Sequence, residues 1–291
     1  MIRAALLSIA LSSTLAQAQD WKPVGLALGR AGSMQPGDVY KAGFPRTDLH
    51  VRVGGVAVKA PLALGSWVAF KAVGDSEAVL MGDLVLTESE VPLVMTKLQE
   101  GGIEQTAVHN HLLGEAPRVL YMHIMGRGVP TRLAAAVRAA LALTGTPMAS
   151  PSAPATTPPL GLDTTAIAKT LGFAGKAAGG VYQVGVPRLD TIQMNGMVVP
   201  PAMGVATGIN FQATGPGKAA TTGDFVLTAS EVNPVIRALR DHGIVVTALH
   251  SHMLGETPRL FFMHFWAHGD AMKLTEGLRA ALDQMNVKKA G

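Results

Sequence analysis

The amino-acid sequence predicts an α+β protein made of two tandem copies of one β-rich domain, each with an antiparallel sheet and about two helices. Three observations predict this: motifs that occur twice, short strand-like segments that precede helical periodicities in each copy, and a low-complexity segment between the copies. The chain has 291 residues, which suits about two domains of ~100–200 residues each.

The first residues have the pattern of a secretory signal peptide. Arg3 supplies a positive charge, residues 4–15 are apolar or small, and Ala16-Gln17-Ala18 is an A-x-A cleavage motif. We therefore expect cleavage after residue 18 and a bacterial periplasmic or secreted protein. The alternative is an uncleaved anchor or a buried first helix. The chain has no cysteine, so a lipid anchor, disulfides and thiolate metal ligands are excluded.

Composition narrows the classes of partner. The formal charge is +4, and the basic residues are scattered rather than clustered, which argues against nucleic-acid binding. No later stretch reaches 18 consecutive apolar residues, so no transmembrane segment is expected. A small-molecule ligand is the remaining partner class, and the oligomeric state is left open.

A segment rich in Pro, Ser, Thr and Ala divides the chain. Residues 144–159 have this composition and are predicted to form an extended linker. The predicted division is a signal peptide at 1–18, a first domain at 19–143, the linker at 144–159 and a second domain at 160–291. Because such a segment makes a poor interface, we expect the two halves to fold separately.

The duplicated motifs lie 142 residues apart at first and 141 afterwards, so the two copies differ by one net residue. The pairs are Val-Tyr followed by Pro-Arg-x-Asp within 39–48 and 181–190, Gly-Asp-x-Val-Leu-Thr at 82–87 and 223–228, and His-x-His-x-Leu-Gly-Glu-x-Pro-Arg at 109–118 and 250–259.

Each copy has the same predicted order of elements. Strands are expected at 51–58, 67–71 and 83–86. Capping boxes, Thr87-x-x-Glu90 and Thr228-x-x-Glu231, then begin helices that end at glycines 101–102 and 243. A histidine-bearing strand, a turn, an apolar strand (119–125 or 260–266) and a final helix from near residue 131 or 271 complete the unit. Helices are expected to cover one face of the sheet.

Six of the nine histidines form two equivalent sets: His109, His111 and His123 in the first copy, and His250, His252 and His264 in the second. Residues i and i+2 of a strand face the same way, ~6.5–7 Å apart, so two imidazoles can converge on one ion. The third histidine would come from the neighbouring strand, opposite one of the first two. Three imidazoles and a water form the usual catalytic zinc site.

The sequence therefore predicts a divalent metal, most simply zinc, at a three-histidine site in each repeat. Copper stays open because Met122 and Met263 adjoin the third histidine, although adjacent strand residues face opposite sides. The competing interpretation is that the histidines only pack in the sheet. Both copies keep all three histidines while their neighbours differ, which favours metal.

Three further residue pairs accompany the histidines. Glu115 and Glu256 could be fourth ligands or general bases, or solvated turn residues. Arg118 and Arg259 could bind an anionic substrate, or form salt bridges to Glu115 or Asp83. Asp83 and Asp224, expected just before a strand, could orient a ligating imidazole or only form turns.

The copies differ after the third histidine. The second copy has His268 and Asp270 where the first has Arg127 and Val129. His268 is therefore a candidate seventh metal ligand, and the second site is expected to be the more competent one. The alternative is that Asp270 only caps the following helix.

Together the motifs resemble the LppY/LpqO family, also called DUF1259, over nearly the whole mature chain. The resemblance implies a bacterial exported domain and no particular activity. Members named as lipoproteins have a lipobox cysteine, which this chain lacks. The histidine spacing is also similar, over a short stretch, to the zinc site of acetolactate decarboxylases.

Three functions remain open at this point. The first is a periplasmic zinc-dependent hydrolase or lyase that acts on a small molecule. The second is a non-catalytic metal-binding or metal-handling protein, and the third is a structural envelope protein with packed histidines. An open coordination position beside a concave pocket would favour the enzyme.

Overall fold

The computed structural model describes residues 19–149 and 159–287. The predicted signal peptide and residues 150–158 of the predicted linker lie outside the described residues. Among the described residues, no helix is long and apolar enough to cross a membrane.

Each repeat consists of nine strands and a small number of helices. In the first repeat these are α1 (Lys22–Leu28), β1 (Ser33–Gln35), β2 (Val39–Pro45), β3 (Arg52–Val53), β4 (Val56–Ala57), α2 (Ala60–Ala63), β5 (Gly65–Val73), β6 (Glu77–Thr87), α3 (Glu90–Glu100), β7 (Glu104–His109), β8 (Glu115–Ala116), β9 (Val119–Gly128) and α4 (Pro130–Leu141). In the second they are α5 (Thr164–Leu171), β10 (Gly175–Ala178), β11 (Val181–Pro187), β12 (Gln193–Met194), β13 (Met197–Val198), a 3₁₀ turn (Pro201–Met203), β14 (Ala206–Gly215), β15 (Lys218–Leu227), α6 (Ala229–Asp241), β16 (Val245–His250), β17 (Glu256–Thr257), β18 (Phe261–Asp270) and α7 (Ala271–Leu282).

The two repeats have the same sheet topology, which confirms the predicted fold class. The main sheets are six-stranded and antiparallel, in the orders β1-β2-β5-β6-β9-β7 and β10-β11-β14-β15-β18-β16. Small three-stranded sheets, β4-β3-β8 and β13-β12-β17, lie beside them. The segment expected to be one strand at 51–58 is the β3–β4 hairpin, because Gly54 and Gly55 adopt positive φ there.

Helices cover one face of each sheet, as the sequence predicts. In the first repeat α1, α3 and α4 enclose a core that includes Phe70, Leu80 and Met122, and α5, α6 and α7 do the same in the second. The helices α1 and α5, which precede each sheet, were not predicted. In α5 the carboxylate of Asp163 accepts a hydrogen bond from the amide of Ala166 at the first turn, a cap that was present in the sequence.

The opposite face of each sheet packs against the other repeat. One shared apolar cluster joins Ala69 and Met81 of the first sheet to Met203 and Phe262 of the second repeat. The other joins the first repeat's 51–64 segment and its sheet to residues of the second sheet. The two halves therefore share an interface, made by their sheets rather than by the linker, which the expectation of separate folding did not include.

Residues 59–62 of the first repeat lie on the second repeat's sheet, and their hydrogen bonds hold the two repeats together. The amide of Lys59 donates to Oε1 of Gln212 at 2.9 Å, and the carbonyls of Pro61 and Leu62 accept from Gln183 and Asn210 at 2.9 and 3.1 Å. These bonds satisfy backbone groups that the interface would otherwise bury without partners.

The repeated Pro-Arg-x-Asp motif is structural. Arg46, only 1% exposed, donates to Asp48, to Glu90 and to the carbonyl of Val85. Arg188 makes the equivalent contacts with Asp190, Glu231 and Val226. Each arginine thus joins the end of a strand to the glutamate at the start of the following helix.

The electrostatics of this motif favour the charged state. Burial alone would raise the pKa of Glu231, but hydrogen bonds from Arg188 and from the amides of Thr228 and Asn286 outweigh it and lower that pKa below its usual value. Both predicted capping-box glutamates accept from the threonine amide, Thr87 or Thr228. In the first repeat the helix itself begins only at Glu90, with Ser89 as N-cap.

Candidate metal centre

In each main sheet, an aspartate on one strand lies opposite a histidine on the neighbouring strand. Asp83 on β6 pairs with His123 on β9, and Asp224 on β15 pairs with His264 on β18. Residues 79, 81 and 85, on the same side of β6 as Asp83, face the other repeat. The aspartates therefore lie within strands, not before them as expected, and their side chains face the interface.

The His-x-His motif does not lie on one strand. His109 is the last residue of β7, and His111 lies in the turn that follows. His123 is opposite Ala107, and His109 is opposite Tyr121, after a register shift between Gln105 and Ala107. The third histidine therefore reaches the others diagonally rather than from directly across, because the bulge displaces the register.

The six histidines meet at the interface between the repeats, so the two predicted sites adjoin one another. The predicted set His109, His111 and His123 converges within its own repeat, whereas in the second repeat His252 and His264 converge with Asp224. Their rings form three stacked pairs, each with one ring from either repeat. The centroid distances are 3.5 Å for His109–His250, 3.6 Å for His111–His264 and 3.7 Å for His123–His252.

Hydrogen bonds between the repeats hold the two histidine turns in place. Thr106 Oγ1 donates to the carbonyl of His252 at 2.6 Å, and Thr247 Oγ1 donates to the carbonyl of His111 at 2.5 Å. Asn110 donates to the carbonyl of Thr247 at 3.0 Å. Each turn is therefore fixed by the other repeat.

The ring nitrogens have the arrangement that ligands of a metal require. Within the part of the chain that the structure describes, Nε2 of every one of the six histidines is buried without a hydrogen-bond partner. Nδ1 of His264 lies 2.8 Å from the carbonyl oxygen of Gly223, and Nδ1 of His109 lies 3.1 Å from that of Asn110. A carbonyl only accepts, so Nδ1 carries the proton in these rings and Nε2 presents a lone pair.

Burial keeps the imidazoles neutral. It lowers the pKa of His264 to about 4 and that of His109 and His252 to about 3. The pKa values of His111 and His123 fall well below the usual value, first through burial and then through neighbouring histidines. Protons therefore do not compete with a metal for these nitrogens near neutral pH.

Both aspartates lie beside the histidines, Asp83 buried and Asp224 half-buried. Oδ2 of Asp224 lies 3.1 Å from Nε2 of His252, without hydrogen-bond geometry, and Oδ2 of Asp83 lies 3.7 Å from Nε2 of His111. Burial raises the pKa of Asp224 to about 6. Burial, followed by the charge of Asp224, raises the pKa of Asp83 well above its usual value. A bound cation would offset both effects.

Four overlapping groups of side chains bring their ligand atoms within 4.8 Å of one another. They are His109/His111/His123, His109/His250/His264, His123/His250/His252 and Asp224/His252/His264. Only the first and the last share no residue. Two groups mix histidines of both repeats, so the centre belongs to the pair of repeats.

The glutamates and arginines of the motif lie outside these four groups. Glu256 accepts from the amide of Leu260 at 2.9 Å and lies 3.3 Å from Arg259, so Arg259 forms a salt bridge with the glutamate of its own motif. Glu115 pairs with Val53 in the small sheet. Arg118 is exposed and lies 3.6 Å from Glu88, a different partner from those expected.

His268 does not join the centre, which corrects its assignment as a ligand. It pairs with Ala220, four residues along the strand from His264, or roughly 13 Å away. Its Nε2 lies 3.0 Å from the hydroxyl of Thr214 in an exposed position. Asp270 accepts from the amides of Met272 and Lys273, so the capping alternative is confirmed.

A cavity of about 420 Å³ opens onto the centre. Four of the histidines and both aspartates line it, together with Lys41, Trp67 and Asn210. Sequence reasoning missed these three residues. A lysine within the otherwise apolar stretch that follows the repeated Val-Tyr pair was the available signal for Lys41.

Fold and site define a duplicated α+β protein with a histidine-rich centre between its repeats. The chain belongs to the family described as Domain of Unknown Function (DUF1259), whose model matches residues 22–143 and 165–284. No curated protein matched the chain.

Two solved structures match the chain over most of its length with low similarity. One is a trimeric bacterial microcompartment shell protein, PduB, with 14% identity, 88% of this chain and 90% of that chain covered, and a TM-score of 0.23. The other is EtuB from Clostridium kluyveri, with 11% identity, 87% and 88% covered, and a TM-score of 0.20. Neither likeness carries an argument about fold or function.

Proposed function

We propose that this protein is a metalloprotein in which the two repeats jointly hold two divalent metal ions. The observation that carries the proposal is the set of six buried Nε2 atoms, none of them hydrogen-bonded within the described residues. A buried, unpartnered polar atom costs about 1–3 kcal/mol. Six such atoms in one place are costly without a ligand that accepts their lone pairs.

Two ions, rather than one, fit the division of the ligands. His109, His111 and His123 form one group, and Asp224, His252 and His264 form another with no residue in common. His250 belongs to the two mixed groups and is placed to complete either set. Each ion would then have at least three protein ligands and room for a further one.

The ligand types suit zinc best. Imidazole nitrogens with a carboxylate are usual zinc ligands, and the two methionines next to the third histidines, Met122 and Met263, pack in the helix-covered cores instead. Two histidines and one aspartate are also a set that ferrous iron accepts. Analysis of the bound metal therefore decides between zinc and iron, and copper is the least favoured of the three.

Catalysis is a second candidate function, and the cavity is the observation that favours it. A metal centre that only stores ions needs no adjoining space, whereas this one adjoins about 420 Å³. When bound, a divalent ion would supply a Lewis acid at this place. Asp83, which lies outside the four groups, would orient an imidazole or accept a proton, and a hydrolase or lyase acting on a small molecule fits such a cavity.

We also propose that the protein is exported and that it belongs to the LppY/LpqO group of the family. The pattern of residues 1–18 supports a cleaved signal peptide and a periplasmic or secreted location, and the histidine motif supports the LppY/LpqO name within the family. Intact-mass measurement of exported protein tests the first point. A mature chain that begins at Gln19 is expected, and retention of residues 1–18 would argue against it.

Elemental analysis of the purified protein tests the metal centre. About two equivalents of zinc or iron per chain are expected, and the double variant His109→Ala/His252→Ala should lose most of both, because every one of the four groups contains one of these two residues. His268→Ala is the matched control and should keep the wild-type content. Unchanged metal content in the double variant would refute the proposal.

A further inference from the structure

The cavity beside the metal centre differs between its two related halves. Lys41 on β2 lines it, and so does Gln183, the residue at the equivalent place on β11. Trp67 likewise has Gly208 as its counterpart, and both line the cavity. The first repeat therefore contributes a cation and an aromatic ring to the cavity, and the second repeat contributes neither at the equivalent places. This difference suits a ligand whose two ends differ.

Lys41 is held in place rather than left free at the surface. Its Nζ donates to the carbonyl of Ala202 at 3.0 Å and lies 3.8 Å from the centre of the Trp67 ring. An ammonium group can donate three hydrogen bonds, and one is accounted for here. Burial lowers the pKa of Lys41 to about 8, and the nearby Asp83 opposes that effect. The group is therefore mainly charged at neutral pH.

The charges around the cavity do not balance once metal is bound. Its charged lining residues are Lys41, Asp83 and Asp224, and its four histidines are neutral. Two divalent ions contribute four positive charges, the aspartates remove two, and Lys41 adds one, which leaves three. This excess of positive charge favours the binding of an anion in the cavity.

We propose that the cavity binds a small oxyanion, a molecule with a carboxylate or phosphate group, between the metal centre and the ammonium group of Lys41. This inference rests on the proposed metal centre. It adds the chemical class of the ligand, and it assigns to Lys41 a specificity role that Gln183 cannot supply. A volume of about 420 Å³ limits the ligand to a small molecule.

Calorimetric titration of the zinc-loaded protein with inorganic phosphate and with succinate tests the inference and separates the two anion types. At least one of the two should bind the wild type, and Lys41→Gln should weaken that binding by about tenfold or more, as loss of a hydrogen bond to a charged group does. Glutamine occurs at the equivalent position of the second repeat, so the strand accommodates it.

Two companion variants make the result specific. Lys176→Gln removes a positive charge that acts on Lys41 from an exposed position outside the cavity lining, and should change the affinity by about twofold or less. Lys41→Arg keeps the charge and should retain more of the affinity than Lys41→Gln. Zinc content is measured in every sample before and after titration.

The outcomes separate the two proposals. Zinc present at the wild-type level, with no binding of either anion at millimolar concentration, would overturn this inference alone. So would equal affinities for wild type and Lys41→Gln, or equal losses in Lys41→Gln, Lys41→Arg and Lys176→Gln. Wild-type protein that holds no zinc or other metal would overturn both, because the excess positive charge would then be absent.

Discussion

Substitution of one histidine in one repeat should weaken metal binding by ligands of both repeats. His250 is the best position for this test, because it lies in two of the ligand groups and each includes a histidine of the first repeat, His109 or His123. If the repeats had separate sites, His250→Ala would affect only the second. If the repeats share one centre, His250→Ala lowers the metal-dependent stability of the whole molecule.

The magnitude follows from ligand linkage. Metal at 1,000 times its Kd stabilises a protein by about 4.1 kcal/mol. Loss of a residue that only supports a ligand costs about 10–100-fold in metal affinity, so loss of a ligand should cost at least about 100-fold. At the same metal concentration the stabilisation would then be about 1.4 kcal/mol. The difference of about 2.7 kcal/mol corresponds to roughly 5–10 °C in Tm for a chain of this size.

The metal-free protein should respond differently to the same substitution. Removing an imidazole whose buried Nε2 has no partner among the described residues removes an unfavourable group, which offsets the packing that is lost. We expect the metal-free variant to unfold near the wild-type temperature.

Scanning calorimetry with excess zinc and with a chelator measures both effects in one experiment. His268→Ala is the control, since this exposed histidine lies outside the centre. The reasoning would be refuted if His250→Ala kept the full zinc-dependent rise in Tm, or if His268→Ala lost as much of it.

Three other perturbations test the fold. The first repeat made alone (residues 19–149) should be aggregation-prone, because one sheet face loses its cover; a monodisperse, cooperatively folded fragment would contradict this. Arg188→Met should cost about 3–5 kcal/mol at pH 7 in chemical denaturation. The pKa of Glu231 is lowered in the folded protein, so its charged form stabilises the wild type above about pH 4.3. This stabilisation is lost as the pH falls through the folded-state pKa, so the difference in free energy of unfolding between wild type and Arg188→Met should narrow in acid. A difference that stays constant with pH would argue against the ion pair. Gly223→Ala should lower Tm strongly, because a Cβ there would lie 1.9 Å from a facing carbonyl oxygen, whereas Gly185→Ala meets nothing within 4 Å and should change Tm little.

Local patterns were sufficient for most of the fold. The capping motifs, the glycines that end α3 and α6 and the apolar spacing of the helices depend on neighbouring residues, and the structure has these elements at or near the predicted places. Strand lengths were underestimated. β6 runs over Glu77–Thr87, where only residues 83–86 were expected, because its apolar run continues without the alternation that marks a strand exposed on one side.

The site depended on contacts that spacing along the chain does not encode. The identities of the six histidines were available from the duplicated motif, and the structure brings all six together. Their arrangement in four overlapping groups was not available, since it follows from a register shift in each sheet and from the packing of one repeat on the other. His268 was assigned by proximity in sequence, yet it lies on the far part of a long strand.

One signal for the joint centre was nevertheless present in the sequence. Residues 78–86 of β6 are apolar or small at every position except Asp83, and all nine are buried. A sheet covered by helices on one face needs apolar residues only at alternate positions, so a continuous run requires a second cover. In the structure the second repeat, which carries the same motifs, supplies that cover. An acidic residue within such a run, opposite a histidine on the next strand, then places ionisable groups in the resulting interface. Both copies carry this pair on the sheet face that packs against the other repeat, so the packing of the repeats places both pairs in one interface.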